Sequence, residues 1–294
     1  MRKYIKLFVS FSVFFASTLL VISCKKDKTE DIPSNNFDKK AMLNNIANNL
    51  IIPNYQNLKS SIVQMDSAIT VFNSNPNTNN LSSLQSIFKK AYLSWESCSV
   101  FELGPAEDEF LRLSSNTFPT DSIQINANIS SGVYNLDAGD NLDAKGFPAI
   151  DYLLFGSGEN SNAILARYTI DNNSSNRKKY LTDISTEIKT KVNTVLTHWQ
   201  NSYSTTFVNA DGTDVGSSVG QLVNELNYEL DHIKNVKLGI PLGKQTMGSP
   251  LPHKVEAYYS SISMQLLVSE LENLRSLYLG KSTTNDGLGF DDYL

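Results

Sequence analysis

Cysteine and histidine are scarce in this chain of 294 residues, which contains two cysteines and three histidines. Two cysteines cannot build a disulfide framework, nor the cysteine-rich zinc and iron–sulfur sites that need several thiolates together. Three histidines leave little for a histidine-rich metal site. Each of His198, His232 and His253 is therefore considered by itself.

An excess of positive charge is also lacking. The chain has 25 basic and 30 acidic residues, a formal net charge of −5. This balance gives no electrostatic footprint for nucleic acid, so we expect no nucleic-acid partner. With 40% hydrophobic and 10% aromatic residues, the chain can build a core, and global disorder is excluded. Its length fits one large or two medium domains.

Glycine is absent before Gly104, and residues 37–103 contain just two prolines, Pro53 and Pro76. Residues 159–211 and 253–279 contain neither glycine nor proline. Because these two residues are the strongest local breakers of regular structure, such stretches favour long helices. Pro53 is expected to kink or divide the first helix, and Pro76 to mark a turn between two helices.

Apolar residues recur at helical spacing, whereas no comparable alternating strand pattern is present. The sequence therefore predicts an all-α fold. It forms two helical-bundle halves, about residues 37–158 and 159–290, with an irregular central segment at 104–158. The five apolar stripes are Leu58, Ile62, Met65, Ile69, Phe72; Leu81, Leu84, Phe88, Ala91, Trp95; Leu181, Ile184, Ile188, Val192, Val195, Trp199; Val219, Leu222, Leu226, Leu230, Ile233; and Val255, Tyr259, Ile262, Leu266.

The first 23 residues have the pattern of an export signal. Arg2, Lys3 and Lys6 precede a 16-residue, mostly apolar stretch that is short for a membrane span. It ends at Ser23-Cys24, where the sequence turns to charged residues, and this resembles a bacterial lipobox. We expect a signal peptide over 1–23, a lipid on Cys24 and a flexible tether over 24–36. The alternative is an ordinary signal peptide with an incidental Cys24.

Two His–Glu pairs could carry metal chemistry. Glu229 and His232 form a Glu-x-x-His element of the kind used by di-iron bundles. Both lie one residue off the apolar stripe, which favours a solvated helix face over a ligand pair. His253 and Glu256 stand at the expected start of the last long helix, where Glu256 would interact with the helix dipole. A His and a Glu one turn apart could instead share an ion.

The remaining conspicuous residues have structural interpretations. Trp95 and Trp199 fall on apolar stripes and are predicted to be core residues. Cys98 is predicted to be a small buried hydrophobe rather than a nucleophile.

Residues Gly146 to Gly156 (GFPAIDYLLFG) resemble the hallmark segment of the imelysin family, in which Gly-x-His-x-x-Glu precedes an aromatic residue, two leucines and a glycine. Trp95 followed by Phe101 to Ala106 (FELGPA) is similar to the family's tryptophan helix. Lys237 to Leu242 and Val255 to Ser260 are similar to its C-terminal signature. The resemblance runs from about residue 37 to 280, so residues 37–290 are expected to form an imelysin-like domain.

The resemblance implies an all-helical fold of two halves, with a site between them near the hallmark segment. It also implies a link to bacterial iron acquisition, and some members of the family have been called insulin-cleaving metallopeptidases. At the hallmark histidine this chain has Pro148, and at the glutamate it has Asp151. Proline cannot ligate a metal, although Pro148 suits the first turn of a helix beginning near Phe147.

We therefore expect a lipid-anchored binding component of the bacterial cell envelope, in the outer membrane, linked to iron or haem uptake and working with an outer-membrane uptake partner. The alternatives are a metallopeptidase with a rearranged site and a surface protein without a small ligand. The hallmark positions are Gly146, Pro148 and Asp151. The ligand-binding candidates are Asp151, Glu102, Lys237, Glu256 and Ser260. An iron or zinc ion would be restored only by His253, Glu256 and Asp151.

The lipid anchor can be tested directly. Because Cys24 would carry the acyl chains, Cys24→Ser should move the protein from the membrane fraction to the soluble fraction. Fractionation and immunoblotting of expressing cells measure this. Retention of the variant on membranes would refute the prediction.

Overall fold

The computed structural model describes residues 37–156 and 158–294. The predicted signal peptide, the tether and Cys24 lie outside these residues. The described part is built from α-helices, and its bounds are α1 Lys39–Asn45, α2 Ile52–Ser74, α3 Thr78–Glu96, α4 Pro105–Asp108, α5 Leu111–Ser115, α6 Ser122–Ser131, α7 Gly146–Phe155, α8 Ser161–Thr169, α9 Ser174–His198, α10 Ser204–Asn209, α11 Ser218–His232, α12 Ser263–Tyr278 and α13 Phe290–Tyr293.

Wider π-helical segments extend or join several of these helices. Ile46–Ile51 joins α1 to α2, Trp199–Tyr203 joins α9 to α10, and Ile233–Lys237 follows α11. Such a segment inserts one extra residue into a turn and rotates the residues that follow it. Pro53 lies in the first turn of α2, directly after the first π segment. The chain remains helical through this proline, and the predicted kink or division at Pro53 corresponds to the change from π-helix to α-helix.

The core forms around α2, α3 and α9. Helix α2 packs against both of the others, and α7 packs against α3 and α9. All members of the first three predicted stripes are buried. Phe147 of α7 stacks on Tyr92 of α3 with 4.8 Å between ring centroids. The hallmark segment is therefore anchored in the core by the aromatic residue next to Pro148.

The all-α prediction is confirmed, since the described residues contain no strand and show just one isolated bridge, between Lys281 and Asp286. Asp38–Leu294 form one compact unit. Helix α9, which follows residue 158, packs against α2 and α7, which precede it. None of the helices in the described residues is long and apolar enough to cross a membrane.

The last long helix begins at Ser263, so the prediction of a helix from about residue 253 is wrong. Residues 252–254 form a short 3₁₀ turn and the chain then turns without regular helix up to Ile262. Ala257 and Ser261 have positive φ angles of 49° and 57°, which an α-helix does not accommodate. Glu256 is thus not at a helix N-terminus.

The face of α11 is also rotated from the predicted stripe. Leu230 is 50% exposed, whereas Glu229 is 1% exposed. The prediction that Glu229 lies on a solvated face is wrong. A carboxylate can be buried here because Arg112 and His232 lie beside it, as described below.

Candidate functional site

An acidic cavity of about 340 Å³ lies where α11 and α12 meet the end of α3 and the 3₁₀ turn Ser99–Phe101. We use the term acidic cavity for the space lined by the charged side chains of Glu102, Arg112, Glu229, Lys237 and Glu270, together with His232 and the aromatic rings of Trp95, Phe118 and Tyr228. Of the residues predicted from the sequence as ligand-binding candidates, Glu102 and Lys237 line it.

Lys237 is buried at one wall of the acidic cavity and contacts three buried carboxylates. Its Nζ atom is 3.1 Å from Glu96 Oε2, 2.9 Å from Glu256 Oε2 and 2.8 Å from Glu270 Oε2. The π segment Ile233–Lys237 explains how Lys237 reaches this position. One extra residue in the turn places Lys237 about two turns beyond Glu229, on the same face of the helix.

One ammonium group cannot neutralise three carboxylates, so part of the negative charge is removed by protonation. Burial raises the pKa of Glu96 well above its usual range, and the charge of Glu256 adds to the rise. Burial likewise raises the pKa of Glu270 to about 8, against the opposing effect of Lys237. Burial would lower the pKa of Lys237, but the three carboxylates raise it well above its usual range. Lys237 is therefore charged, whereas Glu96 and Glu270 hold protons near neutral pH.

Arg112 organises the opposite wall. Its backbone N–H donates to both carboxylate oxygens of Glu102 at 3.0 Å. Its guanidinium Nη2 lies 2.5 Å from Glu225 Oε2 and 3.0 Å from Glu229 Oε1. The guanidinium also lies over the ring of Tyr228, 4.5 Å from its centroid. Burial raises the pKa of Glu102 to about 7, although the charge of Arg112 opposes this.

Glu229, His232 and Glu270 are brought together in the acidic cavity. One ligand atom from each lies within 4.8 Å of the others, and this is the group among the described residues with spacing suited to a metal ion. Burial would raise the pKa of Glu229. The neighbouring His232, the charge of Arg112 and the neighbouring Glu270 overcome this effect and lower the pKa of Glu229 to about 2. Glu229 is therefore ionised.

Asp151 of the hallmark segment lies outside the acidic cavity and binds backbone groups of a distant turn. Its carboxylate accepts hydrogen bonds from the backbone N–H groups of Tyr259 at 2.9 Å and Ser260 at 3.0 Å. These two residues lie between the positive-φ residues Ala257 and Ser261. Asp151 thus ties α7 to an irregular turn more than a hundred residues away. Burial raises its pKa to about 6, although the hydrogen bonds from Ser260 and Tyr259 favour the charged form.

The structure does not assemble His253, Glu256 and Asp151 as a ligand set. His253 is exposed, Glu256 pairs with Lys237 and accepts a hydrogen bond from Asn116 at 2.6 Å, and Asp151 accepts the two backbone hydrogen bonds just described. His253 and Asp151 share a small cavity of about 30 Å³ that also includes Pro148.

The backbone at Gly146 leaves no room for a side chain. Its φ is +74°, and a Cβ atom there would lie 2.4 Å from the carbonyl oxygen of Ser115. Because a side chain would be both strained and obstructed, the hallmark glycine permits α7 to start against α5.

Sequence reasoning missed Arg112, Glu270 and the burial of Glu229. A signal for Glu270 was present: it lies at the helical spacing of the buried Leu267, Leu274 and Leu277, so a carboxylate occupies a core position of α12. Glu229 likewise lies two turns beyond buried Leu222. Both residues are carboxylates at apolar positions, which is the pattern expected for paired buried charges.

The Imelysin family model matches residues 51–294, most of the chain and all of the acidic cavity. This chain belongs to the imelysin family. The predicted resemblance is confirmed, and the family model carries the designation Peptidase M75.

Relatives of this imelysin-family chain are distant. Iron-regulated protein A of Synechococcus elongatus is 20% identical over 250 residues, which cover 82% of this chain and 64% of that protein. The chain therefore spans less than two thirds of the length of this relative.

Solved structures share the fold. A protein of Parabacteroides distasonis, assigned as an iron-regulated protein A precursor, superimposes with a TM-score of 0.68 at 18% identity, over 84% of this chain and 74% of that one. An imelysin-like protein of Psychrobacter arcticum gives 0.62 at 15% identity, over 81% and 73%.

Lys237→Met should lower the free energy of unfolding by about 3–5 kcal/mol, because it leaves three buried carboxylates without their cation. Urea denaturation measures this. Lys234→Met, at an exposed lysine of the same π segment, is the matched control and should change stability by less than about 0.5 kcal/mol. Equal effects of the two substitutions would contradict the role of Lys237.

The raised pKa of Asp151 leads us to expect that the stability of the protein depends on pH. The pKa of Asp151 is about 6 in the folded protein, above the ordinary aspartate value of 3.8 that applies to the unfolded chain, so the folded chain binds more protons between these values. Its contribution to stability is therefore full below about pH 4 and falls as pH rises to about 6. Asp151→Asn should remove this component, so the stability difference between wild type and variant should change over that range. A difference that is constant from pH 4 to 8 would contradict the assignment.

Proposed function

We propose that this imelysin-family protein is a binding component of the bacterial cell envelope that takes up iron in cationic form. One observation supports this most strongly. In and around the acidic cavity six carboxylates face two cationic side chains, and the carboxylates are Glu96, Glu102, Glu225, Glu229, Glu256 and Glu270. With Glu96 and Glu270 protonated, the other four carboxylates still outnumber the two cationic side chains, so the cavity attracts cations and repels anions. Iron is the cation of choice because relatives carry the name iron-regulated protein A.

The same charge balance favours an iron cation over haem. Haem carries two anionic propionates, which the excess of negative charge in the acidic cavity would repel. The wall residues Arg112 and Lys237, which would otherwise pair with propionates, are already engaged by glutamates. Our proposal therefore selects iron ions from the two forms that the sequence left open.

The place of action is proposed from the sequence. A lipid on Cys24, followed by the tether 24–36, would hold the domain at a membrane surface of the cell envelope. We place the protein at the outer membrane, where it would exchange iron with an uptake partner. If residues 24–36 are flexible, as their sequence predicts, they would allow the domain to approach that partner.

A second candidate function is metallopeptidase activity. Glu102 lines the same cavity as the Glu229, His232 and Glu270 group, and its pKa of about 7 is suited to a general base. Its two carboxylate oxygens accept the backbone N–H of Arg112, which orients the group but also reduces its freedom to reach a water molecule. This favours binding over catalysis.

The proposal predicts a loss of iron uptake. Deletion of the gene in the native bacterium should reduce accumulation of radioactive iron ions under iron limitation, with zinc accumulation as the control. Complementation with the wild-type chain should restore it. Unchanged iron accumulation in the deletion strain would refute the proposed function. Chelator-sensitive cleavage of a peptide pool by the purified chain would instead favour the metallopeptidase.

A further inference from the structure

We propose that Glu229, His232 and Glu270 directly ligate a single first-row divalent transition-metal ion in the acidic cavity. This inference rests on the proposed function, which it makes specific. Glu229 and His232 lie at positions i and i+3 in the last turn of α11, and Glu270 comes from α12. Two helices that pack around the same cavity therefore supply one ligand set.

The distances suit a metal centre. Nitrogen and oxygen ligands bind such ions at about 2.0–2.2 Å, so two ligands of one ion lie about 3–4.4 Å apart. The three ligand atoms lie within 4.8 Å of one another. To share one ion, the most widely separated of these atoms would have to approach by at most about 0.4 Å, the difference between 4.8 and 4.4 Å.

The chemistry of the ligands selects the metal. One imidazole and two carboxylates suit ferrous iron, zinc, manganese or cobalt, whereas calcium and magnesium prefer oxygen ligands alone. Three protein ligands leave further coordination positions for water or another small ligand. This is a borderline donor set of the type expected for an iron-binding protein.

The carboxylates are held in place by cations on their outer sides. Arg112 lies 3.0 Å from Glu229 Oε1, while the other oxygen, Oε2, is 3.6 Å from His232 Nδ1. Lys237 lies 2.8 Å from Glu270 Oε2, and no described group donates to Glu270 Oε1. Each glutamate thus has one oxygen oriented by a cation and a second oxygen available to a metal. Such supporting partners are characteristic of metal centres.

The histidine ring is oriented as well. Its imidazole stacks on Tyr228 with an interplanar angle of 14° and a centroid distance of 5.8 Å. Phe118 lies on another side of the ring at 5.9 Å. His232 is therefore positioned by aromatic contacts, as expected for a ligand rather than for a freely moving surface histidine.

An independent observation comes from Trp95. This residue lines the acidic cavity and is 1% exposed, yet its indole N–H has no hydrogen-bond partner in the described structure. A buried donor without a partner costs about 1–3 kcal/mol. This unpartnered donor at the wall of the acidic cavity is suited to a small oxygen ligand bound there.

The test is metal titration of the full-length chain purified in detergent. Anaerobic Fe²⁺, Zn²⁺ and Co²⁺ should each bind with one ion per chain, and Co²⁺ should give a visible absorption spectrum that reports its ligands. Glu229→Gln, Glu270→Gln and His232→Asn should weaken binding at least about ten-fold and change the Co²⁺ spectrum. Glu272→Gln, at an exposed position of α12, and His253→Ala should leave both unchanged.

His232 is 21% exposed in its side chain, so His232→Asn gives a readable result even if a buried glutamate variant fails to fold. One ion per chain with unchanged affinity in all three variants would overturn the site, as would loss of the ion in His253→Ala. If the chain binds no metal but iron accumulation in cells still depends on it, this inference fails and the proposed function survives. If the site binds metal but iron accumulation does not depend on the chain, the proposed function fails and the metal site is supported.

Discussion

The ion cluster around Lys237 is the constraint on which the rest of this structure depends. A single ammonium group holds Glu96, Glu256 and Glu270, which come from the end of α3, the irregular turn before α12 and α12 itself. Buried charges of this kind are stable when each has a partner, and removal of one member leaves the others uncompensated. The cluster therefore fixes three separate parts of the chain relative to one another, and the acidic cavity is the space that remains beside them.

The cavity has two walls with opposite electrostatic roles. Lys237 neutralises part of one wall, and Arg112 neutralises part of the other through Glu225 and Glu229. Neither cation is free to meet an anionic ligand, because each is already surrounded by carboxylates. The net field of the cavity remains negative, and its preference for cations thus arises from the number of carboxylates rather than from any one residue.

Much of the fold was predictable from the sequence, because it depends on local patterns. The stripes of α2, α3 and α9 are buried as their spacing predicts, and the helix after Gly146 carries Pro148 in its first turn. The family resemblance was also readable, since its segments occur in consistent order. Glu102 and Lys237 were found through that resemblance, and both line the cavity.

The remainder of the site depends on contacts between distant residues. Asp151 was predicted to contact a ligand, but it meets two backbone N–H groups whose orientation comes from a turn at positions 257–261. The face of α11 could not be fixed from its own sequence, because the burial of Glu229 depends on Arg112 in α5. The carboxylate of Glu270 at a core position was the one local sign of the cluster. The ion pair of Glu270 could not be inferred without knowing the position of Lys237, which depends on the π segment Ile233–Lys237.

The sequence separation within the ion cluster has a consequence for the order of folding. Glu96 meets its lysine across 141 residues, and the other two carboxylates lie beyond that lysine. Contacts so far apart form after local helices, since the loop between them must first be closed. A chain that has not yet placed α12 therefore has no closed wall at this end of α3. The acidic cavity therefore requires α12 to be in place, and the binding space forms together with the long-range contacts that complete this wall.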